Sequence, residues 1–227
     1  MSKQNIKISV ICPTIRPRGL EIIQECLAKQ TFQEFEFLVE VGIPERGHDL
    51  NAAFNRMIRR AKGELLVFWQ DYVKAPDDAL EKWWKAYQKH QDTLMTAPLG
   101  KVDNYGDKEI RWDWRAWKQN EKQTDFTDCL PRSFEIDWGA APKKAIYDIG
   151  GFDEEADFHW SGDNVLVAIR ADMKGWKFAC FFTNPAIVWD HDAHMKHPFR
   201  ERYNTNFLND RINAYKAGLE VDYLSTT

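Results

Sequence analysis

An aspartate follows a short run of apolar residues in the first half of the chain. Leu65 to Trp69 are five apolar residues in a row, and Gln70 and Asp71 come next. An unbroken run of this length is typical of a strand buried on both faces of a parallel sheet. In open α/β sheets, ligands bind outside the carboxyl ends of such strands. The sequence therefore predicts a ligand site at Asp71, although an aspartate there could also simply begin a turn.

Tryptophans cluster in a second stretch of the chain. The segment RWDWRAWK carries Trp112, Trp114 and Trp117 beside two arginines. Exposed indole rings next to guanidinium groups are a usual surface for sugar rings or nucleobases, through stacking and cation–π contact. The same rings could instead cover the sheet as a satellite core. Both interpretations stay open, and the spacing of the first two tryptophans favours a strand.

The composition limits the classes of protein to which these residues can belong. The chain has 227 residues, 44% of them hydrophobic and 29% charged, which is typical of one soluble globular domain. The net charge of −4 offers no basic footprint for nucleic acid. The N-terminal apolar stretch is too short for a signal peptide or a membrane span, and the four cysteines form no CxxC pair. We therefore expect a cytoplasmic protein with reduced thiols.

Alternating strands and helices are expected to position both stretches. Period-two patterns and helical spacing predict, in order, a strand at Ile6–Cys12, a helix at Leu20–Lys29, a strand at Glu34–Val41, a helix at Leu50–Ala61, the strand at Leu65–Trp69, a helix after Asp78 and a strand at Thr93–Ala97. The order βαβαβαβ implies a mostly parallel sheet with right-handed connections and helices on both faces. Such a fold often binds a nucleotide, but the fold alone does not give the function.

Three segments of the first half resemble the nucleotide-sugar half of the family-2 glycosyltransferases, which have the GT-A fold. They are ISVICPTIRP, EFLVEVG and NAAFNRMIRRAKGELLVFWQDY. The resemblance implies an α/β protein of one domain, with a Rossmann-like, mostly parallel central sheet and helices on both faces. It divides that domain into a nucleotide-sugar half at residues 1–98, an acceptor and catalytic half at 99–195 and a C-terminal helix at 196–227.

The resemblance also implies a set of donor-binding residues at the ends of the first three strands and in the helix before the third. They are Pro13, Thr14, Arg16, Glu40, Asn55, Gln70 and Asp71. In the family, an Ala-Arg-Asn-like triplet contacts the diphosphate, and Phe54 stands here in place of the arginine. The family's third strand ends in an Asp-x-Asp cluster that binds a divalent metal. Here that position reads Gln-Asp-Tyr, so only Asp71 is acidic.

Mn²⁺ or Mg²⁺ is the cofactor that the resemblance implies. The cation would neutralise the departing diphosphate through oxygen ligands, with Asp71 among them. In the family, a histidine after the last strand can complete the metal site. His191 fits that position best and His194 comes next, although a histidine-rich turn with no metal role is an equal alternative. Gln70 could add an amide oxygen or bind the ribose or sugar, and Tyr72 could stack or donate to phosphate.

The second half of the chain carries a pattern that resembles the family's catalytic segment. GGFDE, from Gly150 to Glu154, resembles the loop before the catalytic helix, and Asp163 follows Gly162 where that helix would begin. The resemblance implies that Asp163 takes the proton of the acceptor hydroxyl, with its carboxylate held ionised by backbone N–H groups. A role as helix N-cap is the alternative, and the two roles are compatible.

Together these features imply a glycosyltransferase that moves a hexosyl or similar group from a nucleotide sugar to an acceptor hydroxyl, with metal assistance and inversion. The sequence does not identify the acceptor, and the expected candidates are a glycan, a lipid-linked sugar and a modified nucleobase. We expect it to bind at tryptophans of the second half: Trp112, Trp114, Trp117, Trp138 and Trp160. Three alternatives remain open, namely the same chemistry on a modified nucleobase in DNA, a nucleotidyltransferase and an inactive sugar-binding module.

Overall fold

The centre of the molecule is a seven-stranded sheet, seen in a computed structural model that describes residues 5–16, 19–42, 49–102, 110–112, 125–158, 162–189 and 205–225. The strands are, in chain order, β1 (Ile8–Thr14), β2 (Phe35–Val41), β3 (Leu65–Trp69), β4 (Val73–Lys74), β5 (Thr93–Thr96), β6 (Leu99–Val102), β7 (Ile110–Trp112), β8 (Phe126–Asp128), β9 (Trp138–Pro142), β10 (Lys177–Phe181) and β11 (Ala186–Val188). The central sheet has the order β2-β1-β3-β9-β5-β10-β8.

Most strands of the central sheet run in the same direction. β1 pairs in parallel with both β2 and β3, and β5 pairs in parallel with β10. β9 is antiparallel to both β3 and β5, which therefore share a direction, and β8 is antiparallel to β10. The predicted α/β class with a mostly parallel sheet is confirmed. The antiparallel insertion of β9 into the middle of the sheet was not predicted.

Helices cover both faces of this sheet. They are α1 (Gly19–Ala28), α2 (Leu50–Arg60), α3 (Ala79–Lys89), α4 (Lys143–Asp148), α5 (Asp163–Met173) and α6 (Thr205–Lys216), with short 3₁₀ helices at Pro131–Ser133 and Glu154–Phe158. One hydrophobic cluster joins α1 and α3 to the sheet, and a second joins α2, α4 and α5 to its other face. Within the described ranges, no helix has the length and apolar character needed to cross a membrane.

A smaller sheet lies against the end of β3. It has the order β4-β11-β6-β7, and β4 follows β3 after only three residues. The backbone N–H of Trp189 donates to the carbonyl oxygen of Tyr72 at 2.9 Å, which ties the end of β11 to this turn. The second sheet thus extends the carboxyl edge of the central sheet, where the sequence predicts the site.

Candidate active site

Asp71 lies buried where β3 ends, next to the end of β1. Thr14 Oγ1 donates a hydrogen bond to its Oδ2 at 2.6 Å, and the Arg16 guanidinium forms an ion pair with its Oδ1. The backbone N–H of Arg16 donates to Thr14 Oγ1 at 2.8 Å, which fixes the start of the loop. Because β1 and β3 pair in parallel, their carboxyl ends meet at one edge of the sheet. Three residues predicted for the donor site are therefore brought together.

The residues that flank Asp71 turn toward the protein. Tyr72 donates its hydroxyl hydrogen to Asp137 Oδ1 at 2.7 Å, and burial together with the charge of Asp137 raises the pKa of Tyr72 well above its usual value. Gln70 is buried, its backbone N–H donates to the carbonyl oxygen of Asp137 at 3.2 Å, and its side chain faces the carbonyl oxygen of Ile136. Asp137 was missed in the sequence because only the pairing of β9 with β3 brings it here.

Asp163 is the first residue of α5 and lies half-buried. Asn51 Nδ2 donates to Asp163 Oδ1 at 2.7 Å. The expectation that backbone N–H groups of its own helix hold this carboxylate is wrong, because its hydrogen-bond donor among the described residues is Asn51, and Gly162 is the N-cap of α5. The partner of Asp163 comes from the first turn of α2 instead. The carboxylate is therefore positioned without serving as a helix cap.

The N-terminus of α2 is occupied by a different carboxylate, that of Asp157. Its Oδ1 accepts hydrogen bonds from the backbone N–H of Asn51 at 2.7 Å and from Asn51 Nδ2 at 2.9 Å, and its Oδ2 accepts one from the backbone N–H of Ala52 at 3.0 Å. Asn51 thus bridges Asp157 and Asp163. Sequence reasoning missed Asn51 and Asp157, although Asn51 is one of two asparagines on the buried face of α2 and could have been noticed for that reason.

The environment makes Asp163 a weaker acid than an ordinary aspartate. Burial raises the pKa of Asp163 to about 6, the hydrogen bond from Asn51 opposes this rise, and the charge of Asp137 adds to it. Burial likewise raises the pKa of Asp157 to about 7, against the hydrogen bonds from the first turn of α2. A general base works best when its pKa lies near the working pH. Asp163 has that property at neutral pH.

The charge of Asp137 connects the two parts of the site. It raises the pKa of Tyr72, which follows Asp71, and it also raises the pKa of Asp163 at the start of α5. Electrostatic interactions of this kind fall off with distance, so Asp137 lies close enough to Tyr72 and to Asp163 to act on both. The site thus contains the Arg16–Asp71 ion pair at the end of β3 and the Asp163 carboxylate, whose pKa is raised.

Two further predicted donor residues lie at the same edge of the sheet. Pro13 of β1 and Glu40 of β2 are register partners near the ends of their strands. Glu40 forms ion pairs with Arg56 and with Arg60 of α2, the latter at 3.4 Å. Their contact with a nucleotide stays a prediction.

Asn55 serves the fold instead of the predicted donor contact. Its Nδ2 donates to the carbonyl oxygen of Phe152 and to Glu154 Oε1, both at 2.9 Å, and its Oδ1 accepts from the backbone N–H of Phe152 at 2.8 Å. Gly151 permits this approach: it has a φ of 87°, and a Cβ there would lie 2.6 Å from Asn55 Oδ1. Asn55 therefore anchors the GGFDE loop.

Trp138 is part of the core, so its predicted place on an acceptor surface is wrong. It is fully buried, packs against Trp69 and Trp83 with ring centroids 5.0 and 5.6 Å away, and donates Nε1–H to the carbonyl oxygen of Asn184 at 2.7 Å. Trp112 is the last residue of β7. The remaining predicted residues lie outside the described part of the chain: Trp114, Trp117, Trp160 and His191.

The described residues do not assemble a ready cation site. Within the ranges that the structure covers, no group of three or more His, Cys, Asp or Glu side chains could hold a metal ion. Both carboxylate oxygens of Asp71 are already engaged, by Thr14 and by Arg16. The metal roles of Asp71 and His191 therefore stay predictions, and the first of them would require a partner of Asp71 to move.

Comparison with known proteins identifies the fold. No protein-family model and no curated protein sequence matches the chain. The solved structure of GalNAc-T7 with UDP, GalNAc and Mn²⁺ matches with a TM-score of 0.60 and 10% identity, over 82% of this chain and 44% of that chain. S. aureus TarS matches with a TM-score of 0.58 and 17% identity, over 84% and 38% of the two chains.

A shorter form of the second neighbour agrees with it. TarS 1-349 in complex with UDP matches with a TM-score of 0.57 and 16% identity, over 84% of this chain and 63% of that chain. This chain thus spans less than two thirds of the length of each of these neighbours. The shared architecture is the GT-A glycosyltransferase fold, as the sequence predicted.

Proposed function

We propose that this protein is an inverting glycosyltransferase of the family-2 type, which transfers a sugar from a nucleotide-sugar donor to an acceptor hydroxyl. The observation that carries this proposal is the position of Asp163. On a GT-A fold, this carboxylate has a pKa of about 6, accepts a hydrogen bond from Asn51 at the start of α2, and feels the charge of Asp137, which is bound to Tyr72 just after β3. A base with this pKa is largely ionised at neutral pH and still accepts a proton readily.

The donor is proposed to bind along the ends of β1, β2 and β3. This edge presents Thr14, Arg16 and Asp71 as one hydrogen-bonded group, with Pro13 and Glu40 beside them. Two of the structural neighbours were solved with UDP. Uridine nucleotides are therefore the first donor class to test, followed by guanosine nucleotides.

The chemistry proposed at this edge is a direct displacement. The acceptor hydroxyl oxygen forms a bond to the anomeric carbon, on the side opposite the diphosphate. The bond between that carbon and the diphosphate oxygen breaks, and the nucleoside diphosphate leaves with the electron pair. Asp163 takes the hydroxyl proton as the new bond forms, a contribution typically worth about 10²–10⁴-fold in rate. Asn51 fixes the direction of the carboxylate through its hydrogen bond.

The described residues fit the expected divalent cation poorly. GalNAc-T7 was crystallised with Mn²⁺. In this chain, Asp71 offers oxygens that are already paired, and the neighbouring Gln70 and Tyr72 face the protein.

A screen of nucleotide sugars by thermal shift, with and without Mn²⁺, tests the proposed function, with nucleoside diphosphate release as the second readout. We expect at least one nucleotide sugar to raise the melting temperature and to be turned over. Pyrophosphate release from a nucleoside triphosphate, without any response to nucleotide sugars, would identify a nucleotidyltransferase instead. Binding of free glycans with no nucleotide response would identify a sugar-binding module.

A further inference from the structure

We infer that Arg16, held in place by Asp71, supplies the positive charge that neutralises the donor diphosphate, and that Asp71 is a positioning residue. The inference rests on the proposed function, because it assigns the group that meets the diphosphate in the same site. It differs from the sequence-based expectation, in which Asp71 itself binds a divalent cation.

Asp71 contacts other protein groups through both its carboxylate and its backbone carbonyl oxygen. Its carboxylate accepts hydrogen bonds from Thr14 and Arg16, and its carbonyl oxygen accepts one from Trp189 Nε1 at 3.3 Å. The backbone of Gly19 also lies against it, since a Cβ added there would be 2.8 Å from the carbonyl oxygen of Asp71 and 3.0 Å from its Oδ2. Because the Asp71 side chain is also nearly buried, a cation has little access to its carboxylate unless a partner moves.

Arg16 is the more accessible member of the ion pair. Its side chain is 25% exposed, whereas that of Asp71 is 3% exposed. An anion that approaches this edge therefore meets the guanidinium before the carboxylate. A guanidinium carries five N–H donors in a planar fork that matches phosphate oxygens. The bond to Asp71 uses Nη2, which orients the remainder of the fork.

The surroundings of Arg16 hold the guanidinium in one orientation. Its backbone N–H is bound to Thr14 Oγ1, and its guanidinium carbon lies 5.1 Å from the centroid of the Tyr72 ring. Tyr72 is itself fixed by its hydrogen bond to Asp137. A positive charge that is held before the ligand arrives costs little reorganisation when negative charge develops on the leaving group. The residues Gln70, Asp71 and Tyr72 at the end of β3 are thus better suited to positioning Arg16 than to coordinating a cation.

Calorimetry of UDP and GDP binding in EDTA and in Mn²⁺ tests this inference. We expect the wild-type protein to bind one of the two diphosphates in EDTA with an affinity similar to that in Mn²⁺. Arg16→Ala should weaken this binding by about 10- to 100-fold, the usual loss for a hydrogen bond to a charged group. The affinity for the corresponding nucleoside, which has no phosphates, should stay the same. Arg132→Ala, at an exposed arginine of the 3₁₀ helix Pro131–Ser133, serves as the matched control and should bind like the wild type.

Two further variants separate folding from binding. Arg16→Lys keeps the charge but not the planar fork, and it should fall between the wild type and Arg16→Ala. The double variant Arg16→Ala with Asp71→Asn leaves no unpaired buried charge, so it should fold and should still bind the diphosphate weakly. Binding that EDTA abolishes and Mn²⁺ restores, with Arg16→Ala close to the wild type, would overturn the inference and leave the proposed function intact. If no nucleotide or nucleotide sugar binds under either condition, the proposed function and the inference both fail.

Discussion

Asp153 and Asp163 lie on either side of the same short connection but have opposite environments. Asp153 is fully buried and accepts hydrogen bonds from Arg211, Tyr215 and Tyr223. Burial opposes its charge, but the bonds from Arg211 and Tyr215 outweigh this and hold the pKa of Asp153 below its usual value. Asp163 is half-buried, is bound by Asn51, and has a pKa raised to about 6. The difference shows that a cationic donor such as Arg211 keeps a buried carboxylate ionised, whereas burial without a cation raises its pKa toward that of a base.

The donors of Asp153 come from the end of the chain. Arg211 and Tyr215 belong to α6, and Tyr223 follows it. The backbone N–H of Tyr223 also donates to the carbonyl oxygen of Gly150 at 2.8 Å, and Gly150 has a φ of 75° with no room for a Cβ beside Val221. The GGFDE loop therefore packs against the C-terminal segment and binds it through hydrogen bonds. It fixes the connection that carries Asp157 toward α2.

The largest expected effect is on folding stability, at Asp153. Asp153→Asn keeps the volume of the side chain but removes the charge that Arg211 faces, so the variant should lose about 3–5 kcal/mol of unfolding free energy, as when a buried ion pair is broken. Asp163→Asn is the matched control and should lose less than about 1 kcal/mol. Urea denaturation of the two variants measures both. Equal losses would remove the contrast between anchor and base.

A smaller effect is expected in the pH dependence of stability, through Asp157. Its pKa is about 7 in the folded protein, whereas an aspartate in an unfolded chain titrates near 3.9. The folded state therefore binds this proton more tightly than the unfolded chain does. Protonation of Asp157 adds its full contribution to the unfolding free energy below about pH 4, and this contribution is lost as the pH rises through about 7.

Asp157→Asn cannot ionise and should lack this dependence. Between about pH 5 and about pH 8, the unfolding free energy of the wild type should fall relative to that of the variant by about 1–2 kcal/mol. The fall is no larger because solvent screens part of the charge on the carboxylate. Unfolding curves at a series of pH values measure the difference. Parallel stability profiles would show that Asp157 titrates like an exposed aspartate.

The smallest effect is expected in the pH dependence of the rate, at Asn51. Its hydrogen bond favours the ionised form of Asp163, so Asn51→Ala should raise the pKa of that carboxylate. The acidic limb of the kcat/KM profile should move upward from near pH 6 by about half a unit to one unit. A limb that stays in place, or that moves downward, would mean that another group controls the rate at low pH.

The sequence predicts those parts of the fold that follow from hydrophobic periodicity and from the order of strands and helices along the chain. The buried run at β3 and the alternation at β1 place Thr14, Arg16 and Asp71 at one edge, because parallel strands share their carboxyl ends. β9 escapes prediction because Gly139-Ala140-Ala141 lacks the bulky residues that mark a strand.

The errors in the site have a related cause, since residue type does not give the direction in which a side chain points. The sequence predicts that Asn55 and Trp138 contact ligands, but both side chains are buried in the protein. Asn51, Asp137 and Asp157 were not assigned at all, because contacts between distant segments bring them to the site. Such contacts depend on the tertiary arrangement and leave no local pattern in the sequence.

The most direct test of the account compares nucleoside diphosphate release by the wild type and by Asp163→Asn, at a pH above 7 and with the donor found in the screen. The asparagine keeps the size of the side chain but removes the basic oxygen. The account predicts a fall in kcat of about 10²–10⁴-fold, with the donor dissociation constant and the melting temperature nearly unchanged. A variant that turns over at the wild-type rate would contradict the assignment of Asp163 as the base.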